Sequence, residues 1–228
     1  MGAVEAYLLD IEGTTTPIDF VTKTLFPFAR EELREFVCTQ DISTERKLLS
    51  HEHEQDVAAQ NDPPPWTGHT KDEIVSYLEW LMDRDRKSTG LKSIQGRIWE
   101  SGYASGKLKG VVYPDVTPAF KRWKSAGKKI AIYSSGSVLA QKLIFGHLET
   151  PLSPLIDAYF DTELGGKRDS KSYAEIASRL GIDAPNILFL SDITEEVQAA
   201  RSAGMQSIQV FRDGNASGDG IANFDSLD

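Results

Sequence analysis

A chain of 228 residues that is 40% hydrophobic can bury a sizeable core, either as one large domain or as a domain carrying an insertion. A net charge of −9 and a pI near 5.0 lack the basic footprint that nucleic acid or an anionic membrane surface requires, whereas a small phosphorylated molecule needs only a local positive site. The single cysteine, Cys38, cannot close an intrachain disulfide, and no window has the pattern of a membrane span or a secretory leader. A cytoplasmic location is therefore expected, with the nucleus also open for a eukaryotic source; a monomer is expected too, though sequence does not fix the oligomeric state. Cys38 lies in an amphipathic run and is expected to pack in a core.

Taken in chain order, the first apolar run, residues 4–9, breaks into Asp10-Ile11-Glu12-Gly13-Thr14-Thr15-Thr16. Short apolar runs are the pattern of strands buried in a parallel sheet, and ligands of open α/β sheets bind beyond the carboxyl ends of such strands. Asp10 is thus a candidate nucleophile, and the competing reading is a polar turn after an edge strand. Residues 19–112 carry no convincing strand pattern. Helical spacing covers 20–39, Thr70-Lys71-Asp72-Glu73 reads as a capping box before a helix over 74–82, and another helix is expected at 91–104. A crossover needs only about a dozen residues, so this stretch reads as an inserted helical cap subdomain over the sheet's carboxyl edge. The run Asn61-Asp62-Pro63-Pro64-Pro65 within it reads as a stiff loop.

Beyond residue 112, strand patterns at 129–133, 158–160, 187–190 and 207–210 alternate with helical patterns at 118–126, 137–148, 172–180 and 195–203. Glycines 127, 181 and 204 stand where C-terminal caps are expected. Alternation of this kind predicts an α/β fold, a doubly wound parallel sheet of Rossmannoid type, with residues 1–18 and 113–228 forming the core and 19–112 the cap.

Three further polar breaks follow strand ends. Ser134 and Ser135, after the second strand, offer hydroxyls and N–H groups to a phosphate, or one of these serines caps the next helix. Lys167, delivered by Gly165-Gly166, is a candidate fixed cation, with Lys171 its competitor; the segment lacks the spacing of a Walker loop. Asp192 follows the fourth strand as Asp10 follows the first, and Glu196 stands one turn later. Capping by Asp192 or Thr194 is the alternative. Were Asp10, Glu12 and Asp192 to share one pocket, like charges about 4 Å apart would repel by roughly 4 kcal/mol at an effective dielectric of 20, a cost that a divalent cation removes. Magnesium suits such oxygen ligands and a phosphate substrate.

Asp-x-Glu-Gly-Thr, strand-Ser-Ser, Lys and strand-Asp in this order resemble the haloacid-dehalogenase-like phosphatases. Within them, Leu9-Asp10-Ile11-Glu12-Gly13-Thr14-Thr15, Thr24-Leu25-Phe26-Pro27-Phe28-Ala29, Gln95-Gly96-Arg97-Ile98-Trp99 and Gln141-Lys142-Leu143-Ile144-Phe145-Gly146 resemble the enolase-phosphatase (acireductone synthase) family. Glu12 is the sharpest mark, because the wider superfamily usually has Asp at that place. The resemblance implies a methionine-salvage enzyme that enolises 2,3-diketo-5-methylthiopentyl 1-phosphate and then removes its phosphate to give acireductone. It further implies Asp10 as nucleophile, Glu12 as general acid/base, Ser134, Ser135 and Lys167 as phosphate ligands, and one magnesium per subunit held by Asp10, the backbone carbonyl of Glu12, and Asp192. Lys167 is preferred to Lys171 on its distance from the preceding strand end.

The alternatives are a magnesium-dependent phosphomonoesterase acting on another small ester, a non-catalytic phosphate- or metal-binding module, and a dehalogenase. Binding alone needs no acid/base residue beside Asp10, and dehalogenation has no use for a metal-binding Asp192. His51 and His53 point to different faces, so a shared zinc is not expected and a solvated helix is. Tyr77, Trp80 and Trp99 are expected in the core of the cap, and residues 212–228 as a loop.

Overall fold

The computed structural model describes residues 3–212 and 220–227. The chain forms two compact units, one of Met1–Val21 with Lys109–Asp228 and the other of Thr22–Leu108. In chain order the elements are β1 (Ala6–Leu9), α1 (Ile18–Phe20), a π-helical turn (Val21–Leu25), α2 (Phe26–Thr39), α3 (Ser43–Ala58), α4 (Lys71–Asp83) and α5 (Thr89–Ala104). They continue with α6 (Val116–Ser125), β2 (Lys129–Tyr133), α7 (Val138–Gly146), β3 (Ala158–Phe160), α8 (Ser170–Leu180), β4 (Ile187–Ser191), α9 (Thr194–Ser202) and β5 (Gln206–Gln209).

The five strands make one parallel sheet in the order β3-β2-β1-β4-β5, with β1 in the middle. Successive side chains of a strand face opposite ways. Ala6 and Leu8 therefore join Ala131, Tyr133 and Phe189 in a core closed by Tyr173, Ile176 and Leu180 of α8 and by Ala199 and Ala200 of α9. Tyr7 turns to the other face, where its ring stacks on Trp123 of α6 at 3.8 Å between centroids. Burial on both faces explains why β1 reads as an unbroken apolar run rather than an alternating one. Gly127, Gly181 and Gly204 all take positive φ just after α6, α8 and α9.

The inserted unit is helical throughout its regular elements. Thr70 caps α4 by accepting from Glu73 N–H at 3.3 Å, and the Glu73 carboxylate also accepts from the N–H and hydroxyl of Thr67. Ile74, Val75, Leu78 and Leu81 then face inward at helical spacing. Tyr77, Trp80 and Trp99 are buried.

Three expectations are corrected. Cys38 is exposed, because Leu33 and Val37 take the buried stripe of α2 and leave it on the outer face. His53 is buried, not solvated: its Nε2 lies 2.8 Å from Pro64 O and its ring packs on Trp66 and Tyr77, while His51 stays exposed. The closing segment does more than loop. Residues 213–219 lie outside the described residues, but Ile221 bridges Val210 and Phe224 is fully buried against Trp123.

Candidate active site

Asp10 is the first residue past β1. The strand register pairs Leu9 with Ile132 and Leu190, so one step further on Asp10 is flanked by the ends of β2 and β4. The chain then folds tightly: the N–H groups of Thr14, Thr15 and Thr16 all point at Ile11 O, within 2.8 to 3.2 Å, and Thr15 Oγ1 donates to Asp10 O at 3.0 Å. Gly13 has φ 69°, and a Cβ there would stand 2.4 Å from Asp192 Oδ2, so the loop requires glycine both for its backbone and for its neighbour.

The Asp10 carboxylate is almost wholly buried. Its Oδ1 accepts from Ile11 N–H at 2.7 Å and pairs with Lys167 Nζ at 2.6 Å, and its Oδ2 faces Ser191 Oγ at 3.2 Å. Lys167 also pairs with Glu196 Oε2 at 2.7 Å. Burial works against the Lys167 ammonium, yet Asp10 and Glu196 outweigh it and hold its pKa above the ordinary lysine value. Burial and the Asp10 charge lift Glu196 above the usual carboxylate range.

The loop that delivers Lys167 is fixed by three hydroxyls. Tyr133 donates to Gly165 O at 2.8 Å, Ser172 to Gly166 O at 2.9 Å and Tyr173 to Lys167 O at 2.6 Å. Ser172 Oγ approaches so closely that a Cβ on Gly165 would meet it at 2.3 Å. Lys171, by contrast, is exposed, and its N–H bonds the capping Asp169.

Ser134 and Ser135 follow β2, the former buried and the latter exposed. Neither caps the next helix. Ser137 does that by accepting from Ala140 N–H at 3.3 Å, while Ser134 Oγ accepts from Gly136 N–H at 3.2 Å. Asp192 likewise caps nothing, since α9 begins after Ile193 with no side-chain cap. Its N–H donates to Thr14 Oγ1 at 3.0 Å, and its O accepts from Gln209 Nε2 at 2.9 Å.

Asp192 Oδ1 is buried with no hydrogen-bond partner. Burial, then the charge of Asp10 and to a lesser degree that of Glu12, pushes the carboxyl up to about 6. A buried acid left unpartnered beside another acid is the donor set a cation would satisfy. Among the described residues, however, no group of three or more Asp, Glu, His or Cys side chains is arranged to hold a metal. Asp10 and Asp192 are the two carboxylates this geometry offers a cation, and the charge of Glu12 is felt at Asp192 as well. Magnesium, which keeps several waters, is commonly held by one or two.

Ser191, Thr14 and Gln209 escaped the sequence reading as parts of this site, and Glu196 entered it only as a support. Ser191 lies inside an apolar strand run, where its polarity was the one available signal.

A family model for haloacid dehalogenase-like hydrolases matches residues 4–204. The enolase-phosphatase E1 of Synechococcus elongatus is 50% identical over 219 residues, covering 94% of this chain and 91% of its own. The chain belongs to the enolase-phosphatase family of haloacid dehalogenase-like hydrolases. The enolase-phosphatase E1 of Drosophila melanogaster is 47% identical over 215 residues, covering 92% of this chain and 84% of its own. The crystal structure of the UTR4 protein from Saccharomyces cerevisiae matches with a TM-score of 0.81 at 34% identity, over 98% of this chain and 100% of that one. The two-layered covering of a parallel sheet is thus the fold of this superfamily. No described helix is long and apolar enough to cross a membrane.

Proposed function

We propose that this enzyme is the enolase-phosphatase of methionine salvage, converting 2,3-diketo-5-methylthiopentyl 1-phosphate to acireductone and phosphate. The family membership supports that substrate, and the chemistry rests on one observation: a buried carboxylate, Asp10, at the end of the central strand with the Lys167 ammonium 2.6 Å away. The Asp10 carboxylate attacks phosphorus, forming an aspartyl phosphate as the bond to the substrate oxygen breaks. Glu12 gives its proton to that departing oxygen, then takes one from the water that hydrolyses the acyl phosphate and restores Asp10. Lys167 supplies fixed positive charge to the phosphoryl oxygens, and Ser134 and Ser135 supply neutral donors.

Asp10 and Asp192, with the main-chain carbonyl of Glu12, would hold magnesium. When bound, the ion would neutralise the phosphate and stabilise an enolate. The carbon bearing the phosphate adjoins a carbonyl in this substrate, so loss of one of its protons gives an enol phosphate whose dephosphorylation leaves the acireductone.

The test is to supply the methylthio diketone phosphate and follow enol absorbance and phosphate together, with and without a chelator. An enol that rises and then yields phosphate is expected. Phosphate without any enol would favour a magnesium-dependent phosphomonoesterase for another small ester.

A further inference from the structure

Arg212, just beyond β5, is a buried guanidinium that takes no part in the chemistry above. Its Nη1 donates to both oxygens of Asp115 at 2.8 Å, and its Nε donates to Thr14 O at 2.8 Å. The rings of Tyr113 and Phe224 lie 4.3 and 4.4 Å from its central carbon. Asp115 is itself fixed, since its Oδ2 also accepts from Phe224 N–H at 2.7 Å. A guanidinium paired with a carboxylate and packed against two rings contributes little net charge but a firmly placed Nε–H donor.

That donor falls on the loop carrying Glu12 and Gly13. Thr14 receives Arg212 on its carbonyl and the Asp192 N–H on its hydroxyl. Because no protein group bonds Asp192 Oδ1, the main chain bears the main burden of fixing that carboxylate, and Thr14 is one of its two holds, Gln209 the other.

We propose that Arg212 is a positioning residue that acts through Thr14 to set Asp192 against Asp10, and so sets the affinity of the site for a divalent cation. The inference rests on the metal-dependent reading given above. Residues that orient metal ligands from behind typically govern affinity or activity by about 10- to 100-fold. Lysine cannot replace Arg212, having a single ammonium on a flexible stem where two directed donors are needed.

The experiment measures Mn²⁺ binding to the intact protein by electron paramagnetic resonance, beside the Mg²⁺ dependence of phosphate release, for wild type, Arg212→Lys, Thr14→Val and the double variant. Expected is a weakening of roughly tenfold or more in each single variant, with the double variant no weaker than the weaker single one. Unchanged Mn²⁺ affinity in folded Arg212→Lys overturns the inference, as do losses that multiply in the double variant. Should Arg212→Lys fail to fold, Thr14→Val decides alone, and wild-type affinity there overturns it. A wild type that binds no Mn²⁺ would instead sink the metal-dependent reading.

Discussion

Lys167 Nζ and Asp10 Oδ1 stand 2.6 Å apart in a site closed to solvent, and Glu196 holds the same ammonium from a third segment of chain. One buried cation thus balances two buried acids. Removing it with Lys167→Ala should lower phosphate release by roughly 10²- to 10³-fold, the usual loss for one preorganised charge donor. It should also destabilise the metal-free protein by about 3–5 kcal/mol, because its partners remain buried. Lys171→Ala, at an exposed position, should change stability by no more than about 0.5 kcal/mol. Phosphate assays and thermal melts of the two variants check this, and equal losses would contradict the assignment.

Asp10→Asn should leave no measurable turnover in a protein that still folds, as judged by circular dichroism, since an amide does not attack phosphorus. Glu12→Gln should slow phosphate release by about 10²- to 10⁴-fold, the contribution of general acid/base catalysis. Inhibition by inorganic phosphate should change far less in that variant. Wild-type rates for Asp10→Asn would remove the nucleophile from the scheme.

Gly13→Ala adds one methyl group where Asp192 Oδ2 would lie at 2.4 Å, on a backbone with φ 69°. The left-handed conformation alone costs an alanine roughly 1–2 kcal/mol. The displaced carboxylate should raise the magnesium concentration needed for half-maximal activity by about 10-fold or more. An unchanged magnesium requirement would separate the loop from the metal site.

Asp56 predicts the acid limb of stability in the inserted unit. Burial works against its carboxylate, but Asn61, Tyr77 and Arg86 outweigh it and keep its pKa below the ordinary aspartate value. A lowered folded-state pKa means that the stabilisation is fully present above the unfolded value, about 3.9, and is lost as pH falls through the folded one. Melting temperature should therefore fall between about pH 5 and pH 2, and less steeply in Asp56→Asn. Parallel curves for the two proteins would refute this.

The sheet was legible because β1 to β4 are short, mainly apolar runs ending in a polar break, even the three residues of β3, whereas β5, Gln206–Gln209, is mostly polar and is marked chiefly by its place after α9. Asp10, Ser134 and Asp192 stood out for the same reason, each breaking a hydrophobic pattern at a strand end, while Lys167 lies further out in the polar loop after β3 and was marked by the glycines before it. Helix α3 was harder to read. Its buried positions include Glu45, His53 and Asp56, and their partners Arg97, Pro64 and Tyr77 are distant in sequence, so no local period announces an inward face. Arg212 was hidden likewise, since a lone arginine after a strand has the pattern of a solvated one until Asp115 and Phe224 are brought to it.

The position of β1 in the sheet bears on how precisely the enzyme can hold its reacting acid. Hydrogen-bonded to β2 on one side and β4 on the other, and covered above and below, this strand can be released only when its neighbours are. Amide exchange at Leu8 and Leu9 should then track global unfolding rather than local fraying. Asp10, whose own N–H donates to Leu190 O at 3.0 Å, is thereby tied to backbone that should open only when the sheet does.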